Sequence, residues 1–342
     1  MKRVLFSILV ASITVLGSMG IASQATIAQN GEDKLGAYQL EAETYPGRGT
    51  VFNLVYRTYN DLAKVAGPSY TLVAGIFRVG QPFDMFQSGT NYYIVDPGDD
   101  TPGNLYGQNR PGRIFLWNRT TGLCSEEAIA EGQNPADYER IWTAGRMNGT
   151  FFIVNDKGEL KSYVPATNVW TVLATGISTF GTEADLVVRA PNLVYYTDYQ
   201  RGHIWRYDTS TSTNSIFATV VDYPVSITMD GANIVVLGKL VGTNTIYKFA
   251  PAGGLPIQQR TFTNSNLRGL GRVSATDYVT NDAWSHNIVR IKIVGTSAPI
   301  LISESVGGQI QAVSMGRDLN NNDVVGFADF AGKRIGETML AP

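Results

Sequence analysis

An aliphatic residue, a large side chain and then a polar turn recur six times, opened by Ile114, Leu160, Ile204, Ile246, Ile288 and Ile335. The openers are separated by 46, 44, 42, 42 and 47 residues. A period of about 40–50 residues made only of short strands is that of a β-propeller, in which each repeat is one four-stranded blade. The repeat constrains architecture far more than activity.

Aligned on the openers, each repeat shows a β-rich run ending in a polar residue. These runs are YYIVD to Asp96, FFIVND to Asp156, LVYYTD to Asp198, DYVTND to Asp282 and VVGFAD to Asp329. The fourth repeat departs, with IVVLGK ending at Lys239. Val, Ile, Tyr and Phe dominate, as in buried strands. Turn signals precede each run, among them Asn148-Gly149 and Asp230-Gly231, the dipeptides of tight hairpins. The predicted order is strand a, turn, strand b, Asp-bearing loop, strand c, loop, strand d.

Six a-b-c sets fit the chain, and the last leaves no room for its own strand d. An orphan run, Tyr70–Val73, precedes the first set. It can serve as the outer strand of the sixth blade, closing the ring and covering a sheet edge. The expected fold is therefore an all-β, six-bladed propeller over residues 70–342, closed by an N-terminal outer strand. Val51–Tyr56 reads as one further strand, which leaves seven blades as the alternative. A Gly/Pro/Asn-rich insertion spans 97–112, and the acidic segment Ser125–Arg140 is expected to hold a helical turn.

The first 28 residues read as a secretory signal: Lys2 and Arg3, an apolar-rich stretch Val4–Leu16, and small residues suiting cleavage after Ala25 or Ala28. Residues 29–69 would form an extension. The expected location is secreted, extracellular or periplasmic. No later stretch reads as a membrane span, so membrane insertion is not expected. Cleavage takes the formal charge from −2 to −4, which leaves no broad basic face for nucleic acid. The single cysteine, Cys124, excludes an internal disulfide. Stability must come from packing, and a monomer is expected.

Three stretches carry a family resemblance. YPVSITMDGANIVVLGK (Tyr223–Lys239) resembles the repeat of NHL and gluconolactonase/regucalcin-like six-bladed propellers, with Ser226 where that pattern has Gly. LVYYTDYQRGHIWRYDT (Leu193–Thr209) looks like the same families' b–c unit, and DYVTNDAWSHNIVRIKI (Asp277–Ile293) is similar to the YVTN-type repeat. Together the likeness covers about residues 83–340. These superfamilies include enzymes, sensors and scaffolds, so it bears on fold more than function. The gluconolactonase-like resemblance implies a divalent ion at the channel mouth, held by Glu, Asn and Asp side chains. The corresponding d-to-a loops here offer Asp84, Glu139, Glu183, Asp185, Asp222, Asn264, Asn266 and Gln309. By loop position, Glu183, Asp222 and Asn264 would hold Ca²⁺ and Asp84 would act on water.

Other features have local explanations. The repeated Asp ending strand b is expected to accept hydrogen bonds from its own b–c loop. His203 and His286 fall just before openers, where ligand binding and a structural role are both open to them. Asp318, Asn320, Asn322 and Asp329 space like a dockerin-type calcium loop, although Asp323 stands where such loops carry Gly. There is no Gly-x-Ser-x-Gly elbow and no phosphate-cradling loop. Two functions follow: a secreted binding module for a small ligand, glycan or extracellular protein, and a calcium-dependent lactonase or related hydrolase.

Overall fold

The computed structural model describes residues 26–28, 36–45, 49–58, 70–72, 82–89, 91–98, 112–118, 123–129, 139–178, 184–303, 310–317, 321–329 and 334–340. The chain divides into two compact units, Met1–Lys64 and Val65–Pro342. The first contains an antiparallel sheet of β1 (Thr26–Ala28), β2 (Gly36–Tyr45) and β3 (Gly49–Thr58). Val51–Tyr56 is therefore a strand, but one that pairs with β2 instead of starting a seventh blade.

The second unit is a ring of six four-stranded antiparallel blades. A short strand, β4 (Tyr70–Leu72), precedes them. Blade 1 is β5 (Asp84–Ser88), β6 (Asn91–Asp96), β7 (Arg113–Asn118) and β8 (Leu123–Ile129). Blade 2 is β9 (Ile141–Met147), β10 (Thr150–Asn155), β11 (Glu159–Val164) and β12 (Val169–Thr175). Blade 3 is β13 (Leu186–Arg189), β14 (Leu193–Asp198), β15 (His203–Asp208) and β16 (Thr213–Thr219). Blade 4 is β17 (Tyr223–Asp230), β18 (Asn233–Leu240), β19 (Thr243–Phe249) and β20 (Pro256–Thr263). Blade 5 is β21 (Leu267–Arg272), β22 (Asp277–Asp282), β23 (Asn287–Lys292) and β24 (Ile300–Ser303). Blade 6 is β25 (Ile310–Arg317), β26 (Asp323–Asp329), β27 (Arg334–Met339) and, from the other end of the unit, β4. Leu72 pairs with Gly336 and Tyr70 with Thr338, so the ring closes as the orphan run predicts.

Burial explains which strands the sequence announces. The second strand of each blade has neighbours on both sides within the sheet and packing on both faces, so it reads as a continuous apolar run. Ile234, Val235, Val236 and Leu237 on β18 are all fully buried. Each such side chain contributes roughly 1.5–3 kcal/mol of burial. The outer strand β20 instead alternates half-buried and exposed residues along most of its length, as a solvated edge should. Ser125–Ile129 belongs to the outer strand β8 and not to a helical turn, because β7 offers it a ladder from Arg113↔Ile129 to Asn118↔Leu123.

The two signature dipeptides make different turns. Asn148 and Gly149 both adopt positive φ, as a type I′ hairpin requires. Around Asp230 the loop is shifted by one residue: Asp230 pairs with Asn233 and Gly231 alone is left-handed, which is type II′ geometry.

The strand b carboxylates are less uniform than the repeat implies. Asp96 Oδ1 accepts the Gly98 amide at 3.0 Å, and Asp282 Oδ1 accepts that of Trp284 at 3.2 Å, both from their own loops. Asp198 instead holds side chains, Arg201 at 3.0 Å and the Trp205 indole N–H at 3.3 Å. Asp156 accepts the Arg140 amide from the preceding loop.

Candidate functional site at the channel mouth

The first strands of the blades line the central channel, and register makes their positions comparable. Asp84 pairs with Val95, Arg268 with Asn281 and Ala312 with Ala328, in each case one residue before the Asp that ends strand b. The Asp185 carbonyl accepts the amide of Thr197, which likewise precedes Asp198. Thr143 opposite Val154 and Ser226 opposite Leu237 complete the ring. Around the mouth the order is thus Asp84, Thr143, Asp185, Ser226, Arg268 and Ala312, with Gln311 in the bulge beside the last.

Hydrogen bonds link the first four. Thr143 Oγ1 lies 2.7 Å from Asp84 Oδ2 and 3.4 Å from Asp185 Oδ1. Ser226 donates to Asp185 Oδ2 at 2.6 Å. Each carboxylate also reaches the next blade's backbone in the arc: Asp84 accepts the Ala144 amide at 3.4 Å and Asp185 the Ile227 amide at 2.8 Å. Their free edges are tied locally, to the amides of Met85 and Leu186, both at 2.7 Å. Across the ring, Arg268 donates to Gln311 Oε1 at 2.6 Å.

Asp84, Asp185, Ser226, Arg268 and Gln311 line a cavity of about 350 Å³, with Thr143 buried behind the carboxyls, and the wall also carries Phe86, Val187, Leu270 and Val313. Depth within the molecule pushes both carboxyls up, although each keeps part of its surface on the channel. Burial raises Asp84 to about 6 against the lowering effect of Thr143 and two amides. Burial, and then the Asp84 charge, raise Asp185 to about 7. One hydroxyl carries one proton. Thr143 can donate it to ionised Asp84 while accepting from protonated Asp185, so the pair can hold a single proton near neutrality.

The other sequence-predicted residues lie elsewhere. Glu183, Asp318 and Asn320 fall outside the described residues. Asp222 is buried and accepts the Tyr247 hydroxyl at 2.9 Å, while Asn264 sits exposed in a left-handed turn. Neither lines the channel cavity, so the structure does not assemble Asp222 and Asn264 as an ion cage there. Glu139 is neutralised by Lys161 and Lys157. His203 begins β15 and His286 lies in the β22–β23 turn, each separated from the inner strand by strand b. Their Nδ1 atoms have no hydrogen-bond partner among the described residues.

Of the blade 6 calcium-loop residues, only Asn322 and Asp329 lie among the described ones. Asn322 precedes β26 and Asp329 ends it, with Asp323 paired to Arg317 and Asp329 to Ile310. An extended strand of this length spans roughly 20 Å, and one Ca²⁺ reaches ligands at only about 2.3–2.6 Å. Among the described residues, no three His, Cys, Asp or Glu side chains converge on a common point.

Comparison with known proteins supports the architecture alone. No protein-family model matches the chain, and no curated protein does. Solved structures match at the level of fold. Selenomethionine-substituted virginiamycin B lyase from Staphylococcus aureus aligns with a TM-score of 0.52 at 13% identity, covering 80% of this chain and 98% of that one. A streptogramin B lyase structure gives 0.52 at 12%, covering 81% and 100%. Kuenenia stuttgartiensis hydrazine synthase gives 0.52 at 13%, covering 75% and 79%. The chain carries a β-propeller.

Sequence reasoning placed Asp84 and Asp185 at the mouth but missed Thr143, Ser226 and Arg268. Counting back from the strand b Asp does not find them. That interval is 12 residues from Asp84, 13 from Asp185, 14 from Arg268 and 17 from Ala312. Hairpin length and bulges vary it, so only the ladder aligns the ring.

Proposed function

We propose that this chain is an exported binding module that takes a small polar ligand in the mouth of its propeller channel. The observation that carries the reading is convergence: the Asp84 and Asp185 carboxyls, the Ser226 hydroxyl, the Arg268 guanidinium and the Gln311 amide belong to residues lining one cavity of about 350 Å³. A walled hollow with a few fixed polar groups is the usual form of a small-molecule site. Its size favours a small molecule over a glycan chain or protein surface. Export rests on the basic and apolar N-terminal pattern. The test is a thermal-shift screen of polar metabolites against the wild type, Asp84→Asn and Arg268→Gln. A stabilising hit that both substitutions abolish supports the reading. Hits that bind both variants as well as the wild type refute it.

A second reading, a calcium-dependent lactonase-like hydrolase, draws on Asp84. Its carboxyl lines the channel and is raised to about 6, within the range useful for proton transfer. Calcium-stimulated lactone hydrolysis lost in Asp84→Asn would replace the binding module. Absence of turnover with and without the ion would retire the enzyme.

A further inference from the structure

We propose a second ligand site, a crevice between blades 4 and 5 that holds a monocarboxylate with an apolar chain, its carboxylate on Arg260. The crevice shares no lining residue with the channel cavity, so it stands or falls independently of the mouth site.

The crevice begins with the alternation of the outer strand β20. Thr261 and Thr263 are exposed, whereas Arg260 is half-buried and Phe262 buried on the other side of the strand. Phe262 joins Leu267 and Val289 of blade 5 in one apolar cluster. These three side chains and Pro299 form the apolar lining of a cavity of about 330 Å³, whose polar lining includes Arg260, Thr261, Thr263 and Asp282. That volume lies at the small end of ligand pockets, about 300–1,000 Å³. Arg260 and Thr263 stand three residues apart on β20, so the crevice runs about 10 Å along the strand. A medium-length hydrocarbon chain suits that span.

The charge of Arg260 selects the head group. Its guanidinium lies 4.6 Å from the centre of the Phe262 ring. It donates to the Lys292 carbonyl at 2.7 Å and to the Ser297 carbonyl, both on blade 5. Of a guanidinium's five N–H donors, these bonds occupy two. Both acceptors are neutral, and no Asp or Glu among the described residues pairs with Arg260. The tethers fix the direction of the fork and leave its permanent charge unanswered beside an apolar wall. A carboxylate matches that fork in shape and charge, which an alcohol or an amine does not. Asp282 sets the other limit. Its Oδ1 accepts the amides of Asn266 at 3.4 Å and Trp284 at 3.2 Å, and its Oδ2 accepts the Ser285 hydroxyl at 2.8 Å. A second acid group on the ligand would meet this carboxyl. The ligand therefore carries one acid, turned to Arg260, and a neutral chain that leaves water for Phe262, Leu267 and Val289.

The experiment is calorimetric titration of the full chain with octanoate, 1-octanol and octanedioate. Octanoate is expected to bind about tenfold or more tightly than octanol, which has the chain without the charge, and more tightly than octanedioate. Arg260→Gln should reduce octanoate affinity to that of octanol and leave octanol unchanged. Thr261→Glu, at an exposed lining position beside Arg260, should weaken octanoate in the same direction and covers the case of an unfolded Arg260 variant. Asp282→Asn should narrow the gap between octanedioate and octanoate. Asp84→Asn, in the channel, should leave octanoate binding intact. Octanol binding as tightly as octanoate, or octanoate affinity indifferent to both Arg260→Gln and Thr261→Glu, overturns the inference. So does the absence of octanoate binding at millimolar concentration. Loss of octanoate binding in Asp84→Asn with Arg260→Gln unaffected would assign the ligand to the channel and overturn the second site while leaving the mouth standing.

Discussion

At the residue scale, Thr143 is the hinge of the acid arc. Its hydroxyl is fully buried and is the shortest hydrogen bond recorded for Asp84 Oδ2; the next, the Ala144 amide, stands at 3.4 Å. Removing the hydroxyl strips an ionised carboxylate of its best donor, a loss of about 1–3 kcal/mol. Thr143→Val should therefore lower the melting temperature by several degrees at neutral pH, and by less in acid, where Asp84 is protonated and needs no donor. Thr143→Ser should restore most of the loss. Melting curves at two pH values decide it: an equal drop at both would mean the cost is packing and not the donated proton. Asp222 illustrates the opposite lesson. Its position in a mouth loop matched a family ligand, yet its side chain turns inward to the Tyr247 hydroxyl and packs against Gly238.

At the element scale, β4 closes the ring. Without it β27 would present an unpaired edge, and three ladder pairs would be lost. Deleting residues through Leu72 should lower the melting temperature by about 10 °C or more, taking each lost pair at about 1 kcal/mol and adding the exposed edge. Deleting only through Lys64, the end of the first compact unit, should leave the propeller's melting temperature nearly unchanged. Equal melting of the two truncations would show that the closing strand is dispensable. The strands that the sequence revealed and concealed follow the same logic. Strands such as β14 and β18 are buried on both faces and read as uninterrupted apolar runs. The outer strand β8 carries Glu126 and Glu127 in the sequence LCSEEAI, because an edge strand tolerates charge, and so it imitates a helical turn. Six blades and their closure were legible in spacing. The mouth ring was not, since bulges between Arg268 and Gly271 and between Ile310 and Ala312 shift the inner strands against any fixed count.

At the scale of the whole molecule, the ionisable groups divide into two sets that pull stability in opposite directions with pH. Burial pushes Asp230 up, but Lys248 and Arg272 outweigh it and hold it below the usual carboxylate range. Burial likewise opposes, and Thr276, Ser274 and Arg290 outweigh, at Asp277; Lys161 leads the same reversal at Glu139. A carboxyl whose folded pKa lies below its unfolded value stabilises above the unfolded value, and that contribution is lost as pH falls through the folded one. The channel pair has the reverse sign. Asp84 at about 6 and Asp185 at about 7 hold protons that the unfolded chain has already released above about 4. Between those limits the folded state binds more protons, so stability falls as pH rises. Adding the two sets places maximum stability on the acid side of neutrality, near about pH 5. Melting temperatures from about pH 3 to about pH 8 should trace a peak there. Asp185→Asn removes the larger of the two raised groups, the one on which the Asp84 charge acts. It should flatten the fall between about pH 5 and pH 7.5 while leaving the acid limb, set by Asp230, Asp277 and Glu139, in place. A wild-type melting temperature that climbs steadily from about pH 5 to pH 8 would mean that channel water solvates both carboxylates fully. In that case the mouth would hold two negative charges at neutrality instead of a shared proton.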